Sequence, residues 1–204
     1  WFLRVQAFNS KNTESREVPI LDKSVSPKQL DLPPSPAGQS RPFEVVGIPL
    51  APGFHVVEIA SQKLGASLLD PKLGRQRTMY VRTSALVTNL GVHFKLGREN
   101  AAAWVTTLDK GQVVAGATVR VSDCRGKELV TAQTNAQGVA MFEGLSPEPP
   151  SCQDKDGYSA SAYFVSARHQ GADGVPDLAF TWSDWTRGIE AWRFNAPPSR
   201  DPVT

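Results

Sequence analysis

Two cysteines, three histidines and one Asp-Lys-Asp-Gly run are the residues of this chain whose types could do chemistry. Cys124 stands in a turn, Ser122-Asp123-Cys124-Arg125-Gly126, and Cys152 follows the proline-rich Ser146-Pro147-Glu148-Pro149-Pro150-Ser151. Neither has the CxxC or Cys/His spacing of a zinc site. Two loop cysteines in a strand-rich domain fit a disulfide better than a reactive thiol, so a Cys124–Cys152 bridge is expected, and with it an oxidising compartment. His55, His93 and His169 lie far apart, each within or at the end of a strand-like run, and read as surface or hydrogen-bonded residues. Asp154-Lys155-Asp156-Gly157 opens like a calcium loop, but its glycine comes too early and no glutamate closes it. It reads as a turn, and no metal or cofactor is expected.

No nucleophile elbow, phosphate-cradling glycine loop or HExxH occurs, and titratable residues do not recur at a useful spacing. The chain is therefore not read as an enzyme. Trp182, Trp185 and Trp192, with Phe180 and Phe194, make an aromatic-rich terminus. Such rings can stack a sugar, but the large area an indole buries favours packing on a core or on a neighbouring domain.

The elements that would position these residues are strands. From Ala103 to Gly144, Ala103, Val105 and Thr107 alternate with Trp104, Thr106 and Leu108, and Ala117, Val119 and Val121 alternate with Thr118, Arg120 and Ser122. A period of two places one set on a buried face and the other toward solvent. Lys110-Gly111, Arg125-Gly126 and Gln137-Gly138 punctuate the runs as turns. Strands at about ten-residue spacing with a glycine turn between them predict an antiparallel sandwich. No window sustains an apolar stripe of helical period, so almost no helix is expected.

The remaining chain follows the same pattern. Residues 1–8, Val18–Leu21, Phe43–Ile48, Phe54–Ala60, Leu64–Leu69 and Thr78–Arg82 read as strands, with 43–48 and 54–60 paired about Pro52-Gly53. Asp22–Pro42 is a long Pro/Ser-rich loop. Tyr158–His169 reads as one long strand and Leu178–Trp182 as the last. The expected fold is all-β, in two tandem antiparallel sandwiches of fibronectin/Ig-like type over residues 1–83 and 84–195, with an exit linker over 196–204. Net charge is +2, from 22 basic and 20 acidic residues spread along the chain, which is too balanced for a nucleic-acid footprint. No apolar run approaches the roughly 20 residues of a membrane span. Trp1 opens directly into a strand-like run, so the chain reads as an internal segment of something longer.

Two stretches carry a resemblance that periodicity alone does not. MYVRTSALVTNLGVHFKLGRENAAAWVTTLDKGQVVAGATVRVSDCRGKELVTAQTNAQGVAMF (Met79 to Phe142) closely resembles the amino-terminal region of bacterial alpha-2-macroglobulins, and RPFEVVGIPLAPGFHVVEIASQKLGASLL (Arg41 to Leu69) resembles the domain just before it. The pattern from Gln112 to Phe142 is shared by many bacterial Ig-like repeats; VVGIPL, GFHVVEIAS and TSALVTNLGVHFKLGREN are far more specific. The resemblance implies macroglobulin-like domains from a multi-domain periplasmic protease inhibitor, whose partners are its own other domains and, for the full-length protein, target proteases. Any membrane association would come through an anchor outside this segment. Many family members carry a reactive thioester in a CxEQ motif; here Cys152 is followed by Gln153-Asp154-Lys155, which does not match. The alternative reading is an Ig-like adhesin or carbohydrate-binding module using the terminal tryptophans.

Overall fold

The computed structural model describes residues 1, 5, 16–30, 45, 47–69, 77–153, 159–171 and 174–184. Most of the expected first strand, residues 31–42 of the long loop, the Asp154–Gly157 turn, Trp185, Trp192, Phe194 and the 196–204 linker lie outside them. The chain divides into two compact units, Trp1–Val87 and Thr88–Thr204. The division falls after Val87 rather than after Thr83, because the strand that the sequence ends at Arg82 continues to Val87.

In the first unit, β1 (Gly53–Ser61) pairs antiparallel with β2 (Met79–Val87) along its whole length, from Gly53 opposite Val87 to Ser61 opposite Met79. The 54–60 run pairs with β2; of residues 43–48, its expected partner, only 45, 47 and 48 are described, and these are outside any strand. The expected strand over Leu64–Leu69 is instead a short helix, α1 (Gln62–Leu68). Its signal was local: the Ser61 hydroxyl accepts from the Leu64 amide at 3.1 Å, the capping contact that starts a helix. Gly65 is required inside it, since a Cβ there would stand 1.8 Å from the Arg77 carbonyl oxygen.

Val18–Leu21 is also not a strand. It is strapped to the hairpin by two charged side chains facing each other across β1 and β2, Glu58 and Arg82. The Glu58 carboxylate accepts from the Ile20 amide at 2.9 Å and the Leu21 amide at 3.2 Å, while an Arg82 N–H donates to the Val18 carbonyl at 2.9 Å. Arg82 Nε lies 3.3 Å from the Glu58 carboxylate, and the two side chains are only 2% and 6% exposed. Burial pulls the Arg82 guanidinium below its ordinary pKa; the Glu58 charge opposes this and the Arg16 charge adds to it. Ile20 is fully buried beneath this strap.

The second unit is a sandwich of two antiparallel sheets. β3 (Leu90–Leu96), β4 (Asn100–Thr107) and β7 (Val139–Glu143) form one, in the order β3-β4-β7. The other runs β11-β10-β5-β6, from β5 (Thr118–Ser122), β6 (Glu128–Gln133), β10 (Phe164–Gln170) and β11 (Pro176–Trp182). A two-residue pair, β8 (Cys152–Gln153) with β9 (Ser159–Ala160), lies in the long connection between β7 and β10. The expected single strand over 158–169 is therefore broken at residues 161–163. Alternation builds the core: Ala101, Ala103, Val105, Ala140 and Phe142 of the first sheet meet Val119, Val121, Val165, Ala167 and Ala179 of the second, all buried. Each such valine contributes about 1.5–3 kcal/mol on leaving water. Of the expected first strand over residues 1–8, Val5 is instead helical, its amide donating to the Trp1 carbonyl at 2.9 Å. Almost all other regular structure among the described residues is antiparallel strand, with the short helix α1, so the fold is all-β.

The loops flanking β5 and β6 explain part of the pattern from Gln112 to Phe142. Buried Thr134 accepts from the Ala117 amide at 2.9 Å and donates to the Val114 carbonyl at 2.6 Å, satisfying backbone groups where β5 and β6 leave the sheet. Gly138 takes a φ of +73°, and a Cβ there would lie 2.7 Å from the Val105 carbonyl oxygen. Left-handed backbone and a close strand both demand glycine at that position.

Candidate functional site

Cys124 and Cys152 form a disulfide with a Cα–Cα distance of 5.9 Å, within the ordinary range. The turn that presents Cys124 is built by Asp123. Its carboxylate accepts from the amides of Arg125 at 2.9 Å and Lys127 at 2.8 Å, and its backbone N–H donates to the Lys127 carbonyl at 2.9 Å. Cys152 is placed by β8, where it stands opposite Ala160 of β9. The bridge thus ties the β5–β6 turn to the long β7–β10 connection.

Tyr163 makes a second clasp on the same connection. Its buried phenol donates to the Ser146 carbonyl at 2.9 Å, its amide donates to the Ser183 hydroxyl at 2.9 Å, and its carbonyl accepts from the Ser183 amide at 3.0 Å. Burial pushes the phenol above its ordinary pKa. Below about pH 10 both folded and unfolded chains hold the proton, and the full stability is present. Above that pH the unfolded chain releases it first, so stability falls as pH rises through the folded value. The urea midpoint of the second unit is expected to drop above about pH 10, and to drop less steeply in Tyr163→Phe. An equal slope in both proteins would remove Tyr163 as the cause.

Each histidine has its own local setting. His55 in the first unit has its Nε2 2.7 Å from the Ala51 carbonyl, His93 lies on the outer face of β3 with its ring 5.7 Å from that of Trp104, and His169 stands on β10 opposite Asp177. Among the described residues no group of three or more His, Cys, Asp or Glu is placed to hold a metal ion. Of the terminal aromatics, Trp182 and Phe180 are described, and both pack on Phe164, with ring centroids 5.0 and 5.3 Å apart.

One cluster is invisible in the sequence. Asp177 at the start of β11 accepts from the Thr88 hydroxyl at 2.6 Å and the Asn89 amide at 2.9 Å, fixing the first residues of the second unit to the far edge of its own sandwich. The Asn89 side chain accepts from the Asp109 amide at 3.0 Å. Hydrogen bonds from Thr107 first, and then Asn89, hold the Asp109 carboxyl below the usual carboxylate range. A contact between residues 88 and 177 leaves no mark in any local pattern.

The second unit is thus an antiparallel β-sandwich, strapped by a disulfide and by polar clasps at its loops. A family model for the bacterial alpha-2-macroglobulin MG3 domain matches residues 87–200, more than half of this 204-residue chain. The chain belongs to the bacterial alpha-2-macroglobulin family. Among solved structures, it is similar to native alpha-2-macroglobulin from Escherichia coli spanning domains NIE–MG1. The identity is 21% over 48% of this chain and 39% of that one, with a TM-score of 0.34. It is also similar to domains d3–d4 of the rat CD45 extracellular region, at 14% identity over 76% of this chain and 77% of that one, with a TM-score of 0.29. No curated protein sequence matches.

Proposed function

We propose that this chain is a structural and interaction segment of a bacterial alpha-2-macroglobulin-like inhibitor that traps proteases in the periplasm. Both of its units would serve as macroglobulin-like domains, their exposed faces docking other domains of the parent chain. The observation that carries the reading is the family match over residues 87–200. The disulfide supports an oxidising compartment. It also bears on chemistry: a thioester needs a cysteine sulfur free to be acylated, and both cysteines of this chain are spent on each other. Covalent capture would then belong to other parts of the parent, and this segment would be scaffold rather than catalyst. The packing of Trp182 and Phe180 on Phe164 supports a packing role for the aromatic terminus over a sugar-stacking one.

The isolated chain is expected neither to protect a large protein substrate from a broad-specificity protease nor to take up a small amine covalently. The test is to incubate it with such a protease and assay a protein substrate and a short peptide in parallel. Stoichiometric protection of the protein, with peptide hydrolysis intact, would place trapping in this segment and overturn the scaffold reading.

A further inference from the structure

The outer face of the β3-β4-β7 sheet is apolar at its centre. Alternation turns His93 and Lys95 of β3, Ala102 and Trp104 of β4, and Val139, Met141 and Glu143 of β7 away from the core, so the apolar centre, Ala102, Trp104, Val139 and Met141, is flanked by the charged Lys95 and Glu143. Met141 stands on the edge strand of this sheet opposite Ala102, whose single methyl gives it little cover, and one residue pair along from Trp104 opposite Val139. It is 55% exposed and Trp104 is 45% exposed. The chain has two methionines, and the other, Met79, is 3% exposed at the start of β2. Thiols, which react ahead of thioethers, are absent because both cysteines are in the disulfide.

We propose that Met141 is an oxidative modification site for peroxides, and that its oxidation makes the apolar centre of this face polar. The thioether sulfur attacks one oxygen of hydrogen peroxide and the O–O bond breaks. Sulfur gains that oxygen in a two-electron oxidation to the sulfoxide, and the peroxide, reduced, leaves as water after proton transfer. The product places a strong hydrogen-bond acceptor beside Trp104, Val139 and Ala102. Because Met141 points away from the core, the sandwich accommodates the new dipole without exposing a buried group, whereas the same change at Met79 would require β2 to open.

The test treats the native chain with hydrogen peroxide, then quantifies methionine sulfoxide by peptide mass mapping over time. Met141 is expected to gain oxygen at least about tenfold faster than Met79, since susceptibility follows exposure. The two rates should converge once the chain is unfolded in urea with its disulfide intact. Equal native rates, or Met79 reacting first, would overturn the site. Retention on a hydrophobic-interaction column reads the second half. Oxidised wild-type protein should elute earlier than untreated protein, while peroxide-treated Met141→Leu should not move. Unchanged retention of fully Met141-oxidised protein would overturn the switch.

Discussion

Replacing Glu58 by alanine is expected to destabilise the first unit by about 3–5 kcal/mol, the range for removing one member of a buried ion pair. The Glu58 and Arg82 side chains are 6% and 2% exposed, so neither charge is well solvated in the fold. The pair attracts at 3.3 Å, but the carboxylate also caps the amides of Ile20 and Leu21. Its removal therefore leaves a desolvated guanidinium without its counter-charge, and two backbone donors without their acceptor. Arg82→Met should cost less than Glu58→Ala, because the carboxylate keeps both amides and the methionine stem refills the space. Hydrogen exchange read by mass spectrometry separates this local effect from global damage. In Glu58→Ala the amides of Ile20 and Leu21 should lose protection while those of Val119, Val121 and Val165 in the second unit keep theirs. Full protection at Ile20 in that variant would show that the strap does not depend on the carboxylate.

How much of this was legible in the sequence depended on the range of the interaction that set each feature. Period-two alternation is a property of neighbours in the chain, and it put Ala103 with Val105, and Val119 with Val121, on a shared face; that this face is the core one is seen in the structure. Where alternation and capping competed, as at Leu64–Leu69, the Ser61 cap and the closeness of Gly65 to the Arg77 carbonyl decided for helix. A short apolar run carries no information that separates those outcomes. Strand pairing was harder still. Phe54–Ala60 has an apolar run on each side, and the nearer, 43–48, has the better turn signal; the pairing with β2 rests instead on nine paired positions and the Glu58–Arg82 match across them, which no local signal announces. The Asp177 contacts to Thr88 and Asn89 span 88 or more residues and were beyond any local reading. Thr134 lay between the two: the family-like pattern marks it, but only the structure shows that its hydroxyl serves Ala117 and Val114 at once.

Removing the disulfide with Cys124→Ser/Cys152→Ser is expected to cost the second unit about 3–4 kcal/mol, most of it through the unfolded state. The bridge spans a sequence separation of 28, and closing a loop of that size costs the unfolded chain about 3.5 kcal/mol of entropy at 25 °C. On the native side little should change at Cys124, because Asp123 organises its turn through hydrogen bonds that do not involve sulfur. The β7–β10 connection is more dependent on the bridge. β8 and β9 share only two residue pairs, and Tyr163 holds the connection near its end through Ser146. Two observables follow. The urea midpoint should fall, and the slope m should rise, because an unbridged unfolded chain exposes more surface. Hydrogen exchange should accelerate at residues 152, 153, 159 and 160 well before it does at Val119 or Val165. Reduction of the wild-type chain should reproduce the variant's midpoint. If reduction instead left the midpoint in place, the loop would already be ordered in the unfolded ensemble, and the entropy argument would fail for this chain.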